Sequence, residues 1–174
     1  FKGRFSRTSR SPAVTKGGTL YYPVWLALAA GVAEKEGHSV QIFDAPASDQ
    51  SLEDIYSKLG DFVPEIAVFD SSTGSLYSDV EVAKKVKEKF PSCFTVLVGT
   101  HPSAMPKETL ERGSHLSAVA IREYDYTIPA LAEALKNNTP LEQVLGIAFR
   151  QGDQIIQNPE RPSIENLDEI PFAS

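Results

Sequence analysis

Ile66-Ala67-Val68-Phe69, running into Asp70-Ser71-Ser72-Thr73-Gly74-Ser75, and Val96-Leu97-Val98-Gly99, running into Thr100-His101-Pro102, decide how this chain folds. Each is a short apolar run that ends in turn chemistry. Between them Val80, Val82, Ala83, Val86 and Phe90 recur at helical spacing, with Lys84, Lys85, Lys87, Glu88 and Lys89 as the solvated face. Strand, helix and strand make a βαβ unit, whose crossover sets the strands parallel and puts the loops after them on one edge. Open α/β sheets bind ligands at that edge. Gly, Ser, Thr and Pro build both loops, so backbone and small hydroxyls line the edge and leave room for something large and flat.

Working outward, Pro23 is suited to the first turn of a helix over 24–33 that closes at Lys35-Glu36-Gly37. Ser39-Val40-Gln41-Ile42-Phe43 predicts a strand ending in Asp44-Ala45-Pro46, and Leu52, Ile55, Tyr56 and Leu59 mark a second helix. Phe94 to Val98 is a strand, Pro106 to Arg112 a short helix closed by Gly113, 118–121 a strand, and Thr127 to Leu135 a helix ending near Asn137-Asn138. Val144 to Arg150 and Gln154 to Gln157 flank Gly152-Asp153, a hairpin signal, and the proline-bearing residues 158–174 read as an extended strap. This alternation predicts an α/β fold: a doubly wound, flavodoxin- or Rossmann-like parallel sheet with helices on both faces, plus a C-terminal hairpin and strap. The winding should open with a strand, whereas residues 1–22 read as loop. A first strand is therefore expected ahead of Phe1, which makes 1–22 a loop at the ligand edge. The expected division is a ligand-binding α/β domain over 1–140 and a hairpin and linker over 141–174.

A chain of 174 residues can bury roughly 70% of its unfolded surface without metal or disulfide staples. Cys93 stands alone, which excludes an internal disulfide and fits a cytoplasmic setting, with a reactive thiol as the lesser alternative. No apolar run approaches the roughly 20 residues of a membrane span. The net charge is −6, but Lys2, Arg4, Arg7, Arg10 and Lys16 carry five positive charges with no acid before Glu34, leaving −11 on the remainder. That acidic body would repel phosphates, and the basic arm has no aromatics beyond Phe1 and Phe5, which argues against nucleic acid as a partner.

Several segments, in order, resemble a known family. They are Tyr22-Pro23-Val24-Trp25-Leu26-Ala27 leading to Glu36-Gly37-His38-Ser39-Val40, then Ile42-Phe43-Asp44-Ala45. Val98-Gly99-Thr100-His101-Pro102-Ser103-Ala104-Met105-Pro106 is similar to a GGPHxTxxP motif, and Glu123-Tyr124-Asp125-Tyr126-Thr127 to an acidic one that a glycine precedes. Gly146-Ile147-Ala148-Phe149-Arg150 and the Asn166-Leu167-Asp168-Glu169-Ile170-Pro171-Phe172 strap complete the set. The resemblance is to the N-terminal cobalamin-binding domains of radical S-adenosylmethionine enzymes, the group that includes the anaerobic magnesium-protoporphyrin monomethyl ester cyclases. In two places the chain departs from it, with Thr100 and Arg122 where the family has glycine.

The resemblance implies that a corrinoid lies along Asp44, Ser71, Ser72, Thr73, Gly74, Ser75, Leu76, Gly99, Thr100, His101, Pro102, Glu123, Tyr124 and Asp125. Ser75-Leu76 stands where related domains turn a serine hydroxyl toward the tail base. The plainer reading of the same small residues is turns and helix N-caps. No D-x-H-x-x-G motif occurs, so the resemblance implies a base-off cobalamin with no protein histidine beneath cobalt. His38 and His115 precede strands and belong to the far edge, while His101 reads as a hydrogen-bonding loop residue. Glu123 and Asp125 either complement the dipole of the helix from Thr127 or bind corrin amides or a following domain. A C-x3-C-x2-C motif is absent, so the 4Fe-4S cluster, S-adenosylmethionine and all catalytic residues are expected in a radical barrel beyond Ser174. The parent enzyme would transfer a methyl group or perform an oxidative cyclisation.

Two other readings share the sheet. A phospho-acceptor receiver would use Asp70 and Thr100, but it wants an acid pair after its first strand and a lysine where Arg122 stands. A non-corrinoid interaction or nucleotide module is the other, although a G-x-G-x-x-G motif after a strand is lacking.

Overall fold

Period-two alternation is realised strand by strand in the computed structural model, which describes residues 22–171. β1 (Ile66–Asp70), β2 (Phe94–Val98) and β3 (Ala118–Ala120) pair in parallel, with Ile66 opposite Phe94 and Val96 opposite Ala118. β4 (Ile147–Gln151) lies antiparallel to β3, with Ala118 opposite Phe149, and β5 (Gln154–Gln157) antiparallel to β4. The order is β1-β2-β3-β4-β5, with four strands pointing one way and β4 the other. Around this Rossmann-like sheet lie α1 (Val24–Lys35), α2 (Ala45–Ser48), α3 (Leu52–Leu59), α4 (Leu76–Lys89), α5 (Thr100–Ala104), α6 (Pro106–Glu111) and α7 (Thr127–Lys136).

Both sheet faces are covered, as the apolar strand composition requires. Val96, Val98, Ala118, Ala120, Ile147 and Phe149 face α1 and α7, meeting Ala29, Ile128 and Leu131. Their alternates Leu97, Val119, Ile121 and Ala148 face α4 and α6, meeting Leu76, Val80, Ala83 and Leu110. Each fully buried aliphatic side chain in these layers contributes about 1.5–3 kcal/mol.

The structure corrects the sequence reading in three places. The hairpin is part of the sheet: a two-residue turn with Gly152 at φ +58° brings β4 and β5 alongside β3, making the sheet mixed rather than wholly parallel. Residues 39–43 form no strand, because a strand needs a ladder partner and among the described residues they have none. Thr100, His101 and Pro102 lie on the helical turn α5 rather than in open loop. The reactive thiol weighed as the lesser alternative finds no support, since Cys93 is 1% exposed and burial pushes its thiol up. The expected edge loop at 1–22, except Tyr22, and Phe172 of the strap lie outside the described residues.

Candidate ligand-binding edge

Parallel pairing places the carboxyl ends of β1, β2 and β3 side by side, so the loops 71–75, 99–103 and 121–126 share one rim. Small residues let them close up. The Ser71 N–H donates to the Val98 carbonyl at 2.8 Å, tying the first loop to β2. Gly99 sits at φ +104° and ψ −168°, a region essentially reserved for glycine. A methyl group on its α-carbon would fall on the Asp70 carboxylate and the Ser71 carbonyl. In the first loop the Ser72 N–H donates to Ser75 Oγ at 3.1 Å, and the two hydroxyls are 3.1 Å apart.

α5 joins the loops. His101 Nδ1 pairs with Thr73 Oγ1 at 3.2 Å, across the gap between the loops after β1 and β2. On the other side, Ser103 Oγ accepts from the Arg122 N–H at 2.6 Å. Arg122 holds φ +63°, the left-handed region that glycine enters freely, which explains why glycine would suit this position. Its guanidinium extends away to Glu160, with Nε 2.8 Å from Oε2.

Beneath the rim lies a polar layer. Tyr124 is 6% exposed with its ring in the α7-side core. Burial above all, then the Asp70 and Asp125 carboxylates, pushes its phenol far upward. Asp125 is 7% exposed, and burial, with a smaller contribution from Glu123, pushes its carboxyl up despite a hydrogen bond from its own backbone. Among the described residues, Tyr124 Oη, Asp125 Oδ1 and His101 Nε2 are buried without a hydrogen-bond partner. Asp79 on α4 is also pushed up by burial, while the Ser75 and Ser71 hydroxyls pull the other way.

A carboxyl whose folded pKa lies above its unfolded value destabilises the fold once ionised. The penalty is absent below the ordinary aspartate value of 3.8 and grows as pH rises through the folded value. Asp125→Asn is therefore expected to be the more stable protein at neutral pH in urea denaturation, its advantage fading as pH falls through the carboxylate range. An advantage that is constant with pH would contradict this origin.

The remaining expected site residues separate into distinct settings. Thr73, Gly74 and Thr100 are exposed on the rim, and Thr100 opens α5. Leu76 and Pro102 are buried. The Asp44 carboxylate accepts from the Ala47 N–H at 3.0 Å and so caps α2. Glu123 Oε2 accepts from the Ile164 N–H at 3.0 Å, turning that carboxylate toward the strap. Sequence reasoning missed Ser103, Glu160 and Arg161. Only Ser103 carried a signal, its place in the motif after β2. Among the described residues no group of three or more His, Cys, Asp or Glu is placed to hold a metal ion, and no helix is long and apolar enough to cross a membrane.

The family described as B12 binding domain matches residues 10–132. An uncharacterized methyltransferase of Pyrococcus horikoshii is 32% identical over 157 residues, covering 90% of this chain and 34% of that protein. The anaerobic magnesium-protoporphyrin IX monomethyl ester cyclase of Cereibacter sphaeroides is 30% identical over 152 residues, covering 85% of this chain and 25% of the cyclase. In fold, the chain is similar to the radical S-adenosylmethionine methyltransferase TsrM from Kitasatospora setae, solved with cobalamin and a 4Fe-4S cluster bound. The TM-score is 0.70 at 13% identity, over 87% of this chain and 28% of TsrM.

Proposed function

Because this chain belongs to the B12 binding domain family, we propose that its carboxyl-side rim holds the corrin ring of cobalamin and presents it to a radical S-adenosylmethionine domain. The observation that carries this reading is the set of buried, unpartnered atoms under the rim: Tyr124 Oη, Asp125 Oδ1 and His101 Nε2. A corrin is an apolar disc fringed by amides, each offering both N–H donors and a carbonyl acceptor. Such a fringe matches one acceptor carboxylate, one phenol and one imidazole nitrogen. Above them Thr73, Gly74 and Thr100 are exposed and carry little bulk, as the approach of a broad plate requires.

Within this reading Ser72, Thr73, Ser75 and Thr100 supply hydroxyls at the rim, and Gly99 keeps its backbone close to the neighbouring loop. When bound, the corrinoid supplies cobalt-centred group transfer or electron transfer. Within this reading the cobalamin would be held base-off, with no histidine of this chain as a ligand to cobalt. The chain spans 34% and 25% of the two curated relatives, and the reaction belongs to the rest of the protein. That part carries the 4Fe-4S cluster and S-adenosylmethionine, and it transfers a methyl group or closes a ring oxidatively in the cytoplasm. The receiver-like alternative finds no support among the relatives, and magnesium with acetyl phosphate should leave the protein unlabelled.

The test is to mix the full-length protein with hydroxocobalamin and remove the excess by gel filtration. A retained red chromophore with the spectrum of a detached tail base is expected. Elution of the colour with the small molecules would overturn the proposal.

A further inference from the structure

We propose that the C-terminal strap and the three rim loops open and close as one unit, with α5 as the keystone that carries a displacement of the strap to the far loop at Thr73. The contacts form a continuous line. Arg122 Nε pairs with Glu160 Oε2 at 2.8 Å, Arg161 Nε donates to Thr127 Oγ1 at 3.1 Å, and Glu123 Oε2 accepts from the Ile164 N–H at 3.0 Å. The loop from Arg122 to Thr127 is thus gripped by strap residues 160–164 from outside and by Ser103 of α5 from inside, at 2.6 Å. Two residues earlier on the same turn, His101 reaches Thr73 at 3.2 Å.

The parts differ in stiffness. Arg122 and Glu160 are more than half exposed, and such a pair is weak alone. Thr127 is fully buried and packs against Gly146, where an added methyl group would come within 3.1 Å of its Oγ1. Arg161 therefore bonds to a fixed point of the core, whereas Arg122 and Glu123 are exposed rim positions that meet the strap through their side chains. α5 is only five residues long and is bonded on both flanks, to Thr73 through His101 and to the Arg122 N–H through Ser103. A short helix bonded on both flanks couples those flanks. Beyond the rim the strap continues to α1, where Lys35 Nζ donates to the Glu169 carbonyl at 3.2 Å. Whatever follows the strap thereby has a mechanical hold on the rim, and by linkage rim occupancy biases the strap.

Hydrogen exchange followed by mass spectrometry on the full-length protein tests this, first without ligand. Ile164→Pro deletes the amide that Glu123 holds without altering a rim residue, and Glu123→Ala removes the acceptor. Both should speed exchange in 99–104 and 71–75, by about threefold or more, as expected when local opening is eased, and Glu123→Ala should also free the Ile164 amide to exchange. Unchanged exchange in 99–104 and 71–75 of Ile164→Pro overturns the coupling. If Glu123→Ala also accelerates β4 and β5, which marks general destabilisation, Ile164→Pro decides alone.

The second arm, which rests on the corrinoid reading, adds hydroxocobalamin. Protection should appear in 71–75, in 99–104 and at the Ile164 amide of the wild type, and be lost from Ile164 in Glu123→Ala. Protection of the rim with an unchanged strap overturns the coupling. Failure to retain any corrinoid overturns the cobalamin proposal and leaves the first arm to judge the coupling.

Discussion

Gly99→Val is expected to destabilise the fold by about 4 kcal/mol, from roughly 1–3 for a side chain in a glycine-only backbone region and a similar amount for overpacking. The position has φ +104° and ψ −168°, and any Cβ there meets the Asp70 carboxylate and the Ser71 carbonyl. Neither neighbour is free to yield. Ser71 is 2% exposed and its N–H is bonded to Val98 on the adjacent strand, so relief means prising the first rim loop off β2. Urea unfolding measures the loss, and hydroxocobalamin retention at a temperature where the variant is still folded measures the second consequence, a rim too distorted to bind. A loss under about 1 kcal/mol would show that the loops repack at little cost, and the tight approach at Gly99 would lose its significance.

Asn158→Ala should cost about 3 kcal/mol, since two buried carbonyls lose their donor at roughly 1–3 kcal/mol each, with some relief from water. The Asn158 amide donates to the Leu141 and Val144 carbonyls, both at 2.7 Å, and its own N–H donates to Ile147 at 2.9 Å. One side chain thereby pins the connection between α7 and β4 to the end of β5, where the strap begins. Asn158→Asp should be at least as damaging, because a carboxylate would face the same two carbonyls with no donor. If thermal or urea unfolding finds the aspartate harmless, the two bonds do not hold this junction.

The layered architecture was readable because its code is local. Val96, Leu97 and Val98 alternate between the two cores, and Val80, Ala83 and Val86 return every three or four residues to one face of α4. Residues 39–43 have the same local code and yet form no strand, because pairing depends on a partner that local pattern does not contain. The hairpin turn at Gly152 was equally legible, but its attachment to β3 was not, since the free edge of one strand is a property of the assembled sheet. In the rim, the small residues at 71–75 and Gly99 announced a close approach without saying of what to what. The structure shows Gly99 against Asp70 and Ser71.

From β1 to β5, the turn α5 apart, the amino-acid sequence by itself determined the succession of strands and helices, the apolar residues that face inward, and the small side chains at the strand ends. These follow from periodicity and backbone chemistry within a few residues. Only the tertiary structure decided that Glu123 turns to Ile164, that Arg122 holds a left-handed backbone fastened to Ser103, and that Tyr124 and Asp125 are buried with atoms left unpartnered. Those outcomes depend on which distant segments meet at the rim, and a side chain's hydrogen bonds and desolvation are set by that meeting rather than by its neighbours along the chain.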